Sequence, residues 1–128
     1  MVGIVIVSHS RLAAEGIREL AAQMAGPDLR IIACGGMEDG SIGTDAMRIM
    51  EAIQQADSGD GVVILCDIGS SIMSSETAIE FLEGAVDARI VDAPIVEGAV
   101  AAAVEAFAES SIEEVIAAAE EAREYRKQ

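Results

Sequence analysis

Basic residues are scarce in this chain: 8 Lys and Arg stand against 23 Asp and Glu, a net charge of −15 over 128 residues. Only one of the eight is a lysine, Lys127. That balance excludes nucleic acid and anionic lipid as partners, because both select clustered positive charge. The acidic residues lie mostly on predicted helix faces and form no continuous tract, so they read as a solvated surface. Long apolar runs are lacking as well. The N-terminal run is far short of the roughly 20 residues that cross a bilayer, and it has neither the positive flank nor the cleavage site of a secretory signal. No membrane association and a cytoplasmic location are therefore expected. Cysteine is limited to Cys34 and Cys66, each ending an apolar run and with no CxxC spacing. They are expected to be buried thiols, and no metal site is expected. Neither GxxxxGK[ST] nor GxGxxG is present, so this chain is not expected to bind a nucleotide or other cofactor itself.

What the sequence does hold is a β/α alternation, with 52% hydrophobic residues, enough for the core of one domain over residues 1–128. Strand-length apolar runs are predicted at about 2–7, 30–34, 61–66 and 89–91, separated by segments of helical period. The expected fold class is α/β: a three-layer sandwich with a central, mainly parallel four-stranded sheet flanked by helices. Ala13, Ile17, Leu20 and Met24 mark the apolar face expected for the first helix. Ala46, Ile49, Met50 and Ile53 mark the second, with Thr44 as its expected N-cap, and a third is predicted over about 71–82. After Pro94, Val96, Val100, Val104 and Phe107 form the expected inward stripe of a fourth. Ser111 and Glu114 form a capping-box pattern that opens a fifth, with Ile112, Val115, Ile116 and Ala119 facing inward. Both C-terminal helices are rich in alanine and nearly free of aromatics. Such helices suit close packing on the sheet or on a second copy.

Chemistry is expected at the carboxyl ends of the strands, where open parallel sheets bind their ligands. The only histidine, His9, follows the first strand; Asp67 follows the third. A carboxylate accepting one ring N–H fixes the imidazole tautomer and leaves the other nitrogen free to attack an electrophile. Either residue could instead serve locally, His9 bonding a strand-end carbonyl and Asp67 capping a helix. Gly69, Ser70 and Ser71 then open a helix, whose free N–H groups and adjacent hydroxyls suit an anion. The glycine-rich segment after the second strand, with Gly36 and Gly40, offers further main-chain donors. With Ser10 beside His9, these residues are the expected phosphate contacts. Together they suggest a histidine nucleophile, an orienting aspartate and a phosphate cradle.

The segments Val7-Ser8-His9-Ser10, Ala14-Glu15-Gly16, Gly36 to Thr44, and Asp67-Ile68-Gly69-Ser70-Ser71 with Glu76 resemble the phosphotransferase subunits of dihydroxyacetone kinases, the DhaM family. That family shares its fold with the enzyme IIA components of mannose-class sugar phosphotransferase systems. The resemblance covers about residues 2–108 and implies that His9 is phosphorylated by the phosphocarrier protein HPr. It implies that the group passes to ADP on a separate nucleotide-binding kinase subunit, so that ADP and ATP belong to that partner. It also implies that Asp67 orients His9 and that Ser70 and Ser71 receive the phosphate. The family often has Asn where this chain has Ser74, three residues into the third helix.

Transfer between proteins requires His9 to be exposed, with Met37, Ile42, Ile72 and Met73 as an expected apolar rim used by both partners. Other readings remain open. A mannose-class enzyme IIA would use the same His9 and Asp67 but deliver to a IIB domain. In a receiver domain Asp67 would itself accept the phosphoryl group, but the acidic pair such domains need after the first strand is replaced by Ser8-His9. A non-catalytic regulatory module would not be phosphorylated on His9 at all. A homodimer is expected.

Overall fold

The computed structural model describes residues 1–128 and contains four strands and five α-helices. In chain order they are β1 (Gly3–Ser8), α1 (Arg11–Ala22), β2 (Ile31–Gly35), α2 (Ala46–Ala56), β3 (Val62–Cys66), α3 (Gly69–Phe81), β4 (Ala88–Val91), α4 (Ile95–Phe107) and α5 (Ile112–Glu121). A 3₁₀ turn, Ala122–Glu124, follows. All three strand pairings are parallel, in the order β2-β1-β3-β4. The expected α/β class with a flanked four-stranded sheet is what is observed.

That order places β1 and β3 at the centre, and both are continuous apolar runs because helices cover both faces of the sheet. Every residue of each is buried. Ile4, Ile6 and Leu65 point to one core, shared with Ile17, Ala99, Ala102 and Val115 of α1, α4 and α5. Val5, Val7 and Ile64 point to the other, shared with Ile49, Ile53 and Ala78 of α2 and α3. Burial of each such side chain contributes about 1.5–3 kcal/mol, so the strand that ends at His9 is held from both sides.

The chain leaves β1 in one direction to form β2, then crosses back to form β3 on the other side of β1. The switch point of this sheet therefore lies between the carboxyl ends of β1 and β3. The ladder runs to Val7 opposite Cys66, so Ser8 and His9 emerge level with Asp67. Gly35, at the end of β2, is required by packing at this edge: a Cβ there would lie 2.3 Å from the Ser10 carbonyl oxygen and 2.7 Å from Ala14 Cβ.

Three local expectations are corrected. In α4 the inward face is Gly98, Ala99, Ala102, Ala103 and Ala106, whereas Val96, Val104 and Phe107 are 38%, 44% and 46% exposed. α4 lies between α1 and α5 over the central strands, where a Cβ on Gly98 would already meet Ala93 Cβ at 2.9 Å; only the smallest side chains fit. In α1 the inward residues are Ala14, Ile17 and Ala21, not Ala13, Leu20 and Met24, for the same close approach to α4. The cap of α2 falls one residue later than expected, at Asp45, its Oδ1 accepting from the Met47 N–H at 2.9 Å. Thr44 is turned elsewhere. The capping box of Ser111 and Glu114 forms as read, and Cys34 and Cys66 are free, buried thiols whose burial raises their pKa values. No helix is long and apolar enough to cross a membrane.

Candidate functional site

At the switch point Asp67 accepts four hydrogen bonds. Its Oδ1 faces His9 Nδ1 at 2.9 Å and the Ile68 N–H at 2.7 Å. Its Oδ2 accepts from the His9 N–H at 3.0 Å and from the Ser8 hydroxyl at 2.8 Å. Partial burial pushes this carboxyl up, but the His9 and Ile68 N–H groups, then the imidazole and the Ser8 hydroxyl, outweigh it and hold the pKa at about 2 instead of 3.8. Asp67 is therefore ionised at neutral pH and accepts only. Nδ1 must carry the imidazole proton, and the lone pair sits on Nε2. Nε2 contacts the Ser70 hydroxyl, which in this tautomer donates to it. The imidazole is 19% exposed, enough for one nitrogen to be reached from outside while the other is anchored.

The residues around His9 divide by where their donors point. Ser70 faces Nε2 from the first turn of α3, and Gly69 beside it has open space where a side chain would stand. In the first turn of α3 the Ser71 N–H donates to the Ile68 carbonyl at 2.9 Å, while the Gly69 and Ser70 N–H groups have no partner and leave the positive end of the helix open beside the imidazole. Ser71 is placed differently: it is fully buried, and its hydroxyl donates to the Ile68 carbonyl at 2.6 Å. Ser10 caps α1, its hydroxyl accepting from the Ala13 N–H at 3.2 Å. The Gly36 N–H donates to the Ser8 carbonyl at 3.1 Å and the Gly40 N–H to the Met37 carbonyl at 2.9 Å, so both expected loop donors are spent within the chain. The loop reaches His9 by another atom, the Gly43 N–H, which donates to the His9 carbonyl at 2.9 Å.

Of the expected rim, Ile42, Ile72 and Met73 are 73%, 40% and 68% exposed, while Met37 is half-buried with its sulfur against Gly43. Leu12 and Ile68, in the segments that follow His9 and Asp67, are 71% and 67% exposed and were not anticipated. Nor was Ser8. Its signal was a hydroxyl at the end of an otherwise apolar buried strand, where a polar group needs a partner. It finds two, donating to Asp67 and accepting from the Ser10 N–H at 3.1 Å. Arg48 and Arg11 are committed elsewhere: Arg48 donates to the Gly36 carbonyl at 2.6 Å, and Arg11 pairs with Glu15 at 3.4 Å. No three His, Cys, Asp or Glu side chains are grouped as metal ligands.

An open-sheet α/β domain that anchors one face of an imidazole and presents the other beside a helix N-terminus is suited to carrying a group on nitrogen. Residues 3–119 match the family of PTS system fructose IIA components, and the chain belongs to that family. It is 42% identical over 118 residues to a Listeria innocua protein, the phosphoryl donor subunit DhaM of PEP-dependent dihydroxyacetone kinase 2. That match covers 91% of this chain and 94% of the relative. It is 43% identical over 133 residues to the Escherichia coli phosphoryl donor subunit DhaM of PEP-dependent dihydroxyacetone kinase. There it covers 100% of this chain but spans only 28% of the longer relative. Among solved structures, the protein of unknown function EF1359 superposes with a TM-score of 0.82 at 38% identity, over 93% of this chain and 92% of that one. The resemblance carried by the three strand-end loops is borne out by these relatives.

Proposed function

We propose that this chain is the phosphoryl donor subunit of a PEP-dependent dihydroxyacetone kinase, and that His9 Nε2 is the atom that carries the phosphoryl group. The observation that carries the reading is the imidazole held through Nδ1 by an ionised Asp67, with its Nε2 lone pair turned to Ser70 at the open start of α3. The Nε2 lone pair attacks phosphorus of the phosphohistidine on HPr; the donor's N–P bond breaks and its electron pair returns to the donor imidazole. The product retains the Nδ1 proton, and its imidazolium charge is stabilised by the Asp67 carboxylate. Ser70 turns its hydroxyl from Nε2 to a phosphoryl oxygen, beside the free Gly69 and Ser70 N–H groups. In the second step a β-phosphate oxygen of ADP, held by the nucleotide-binding kinase subunit, attacks the same phosphorus and His9 leaves as neutral imidazole. Transfer of this kind depends on in-line access and charge stabilisation, so both partners use the one exposed edge.

This reading keeps the nucleotide on the partner, places the protein in the cytoplasm, and makes it a homodimer. The outward Val104 and Phe107 of α4 support the last point. The decisive experiment is incubation with enzyme I, HPr and phosphoenolpyruvate, then mass spectrometry under alkaline conditions. An acid-labile phosphoryl group on His9, absent from His9→Ala and discharged by the ADP-loaded kinase subunit, is the expected result. Absence of label with cognate donors overturns it. Discharge by a IIB domain and not by the kinase subunit would move the acceptor to a sugar system and leave His9 in place.

A further inference from the structure

Ser70 sits in the first turn of α3, whose N-cap position, Ile68, supplies no side-chain hydrogen bond; the turn is closed instead by the Ser71 N–H and hydroxyl on the Ile68 carbonyl. One turn further along, the Ser74 hydroxyl meets the Thr44 hydroxyl at 2.7 Å. This is the only side-chain hydrogen bond between α3 and the loop that follows β2. The same loop holds His9 from behind, through the Gly43 N–H on the His9 carbonyl at 2.9 Å. The contacts thus close a ring. It runs from the His9 backbone to Gly43 and Thr44, across to Ser74, up one turn of α3 to Ser70, and back to His9 Nε2.

Neither hydroxyl is needed for the helices themselves. Asp45 caps α2 in place of Thr44. A serine inside a helix ordinarily bonds back to a carbonyl one turn earlier and slightly weakens the helix. Ser74 instead bonds across to another element. Both residues are half-buried, unlike the exposed rim residues Ile42 and Met73.

We propose that Thr44 and Ser74 are positioning residues: their hydroxyl pair sets where Ser70 stands relative to His9 Nε2, and through it the rate of phosphoryl transfer. The proposal rests on the reading of His9 as the phosphoryl carrier. When Nε2 bears phosphorus, Ser70 must give up its direct contact with that nitrogen. With the turn below clamped, the change is a side-chain rotation and not a displacement of α3.

The test uses Thr44→Val, which keeps the shape and removes the hydroxyl, with Ser74→Ala, the double variant and the conservative Thr44→Ser. Loss of one hydrogen bond at the site is expected to slow single-turnover transfer from phospho-HPr about five- to tenfold in either single variant, with KM unchanged. The double variant is expected to be no slower than the singles, and Thr44→Ser to restore the rate. Nitrogen NMR of unphosphorylated protein gives a second readout that needs no donor. The His9 Nε2 shift should move in Thr44→Val and return in Thr44→Ser. Unchanged rate and unchanged shift overturn the proposal, as do losses that multiply in the double variant. A wild-type protein that takes no label while its Nε2 shift still responds to Thr44→Val overturns the carrier reading and retains the clamp.

Discussion

Asp67→Asn is the most discriminating perturbation of the site, because the carboxylate accepts from donors on both oxygens. Oδ1 takes the His9 ring N–H and the Ile68 N–H; Oδ2 takes the His9 backbone N–H and the Ser8 hydroxyl. An amide has one accepting oxygen and one donating nitrogen, so either orientation opposes its NH₂ to a backbone N–H. With the NH₂ toward Nδ1 it donates to the imidazole, moves the ring proton to Nε2 and removes the attacking lone pair. Transfer should fall by roughly a thousandfold or more, as expected when an orienting carboxylate is replaced and the wrong tautomer results. Asp67→Ala imposes no tautomer and should be faster than Asp67→Asn, though slower than wild type. Stability follows from the same contacts. Holding the carboxyl at about 2 instead of 3.8 corresponds to about 2 kcal/mol. Since the folded-state pKa is depressed, this contribution is fully present above the unfolded value and is lost as pH falls through about 2. Urea melts of wild type and Asp67→Asn should therefore differ at pH 7 and converge toward pH 2, while rapid-quench single turnovers report transfer. An Asp67→Asn protein within threefold of wild type in transfer, or a stability gap that does not narrow in acid, would refute the reasoning.

Three further outcomes are expected. Ser70→Ala should shorten the lifetime of the phosphohistidine severalfold in a hydrolysis time course, whereas Ser71→Ala should leave it near wild type, since the Ser71 hydroxyl is committed to the Ile68 carbonyl; equal effects would contradict the placement of these two serines. Gly35→Ala should cost about 2–3 kcal/mol in denaturant melts and also impair transfer, because its Cβ would meet the Ser10 carbonyl at 2.3 Å and push the start of α1 away from His9. Ala103→Leu, on the buried face of α4, should destabilise by about 1–3 kcal/mol, while Val104→Ser next to it should stay within about 0.5 kcal/mol in the monomer; the reverse order would restore the face first read from the spacing.

The apolar runs at β1 and β3 were legible to within a residue or so, because a strand buried on both faces reads as a near-continuous apolar run, broken in β1 only by Ser8 at its end. The last helix was legible from its capping box, a purely local interaction. The inward faces of α1 and α4 were not: alanine and valine both count as apolar in a periodicity. What selects between them is the distance to the neighbouring helix. Thr44 and Asp45 are both good N-caps; Asp45 takes the role, and the Thr44 hydroxyl bonds Ser74, which is distant in sequence.

At the site, sequence alone determined which residues are able to do the chemistry: one histidine at a strand end, one aspartate after a buried strand, and a small-residue helix start. These follow from residue type and from chain-local pattern. Only the tertiary structure decided how they are used. Strand order set β1 beside β3 and brought Asp67 to His9. The rotation of α3 turned Ser70 toward Nε2 and Ser71 into the interior, and internal hydrogen bonding consumed the Gly36 and Gly40 donors while leaving Gly43 on the His9 carbonyl. The physical reason is that a hydrogen-bonding group serves only the partner that packing places within its reach, and that partner here comes mostly from another part of the chain.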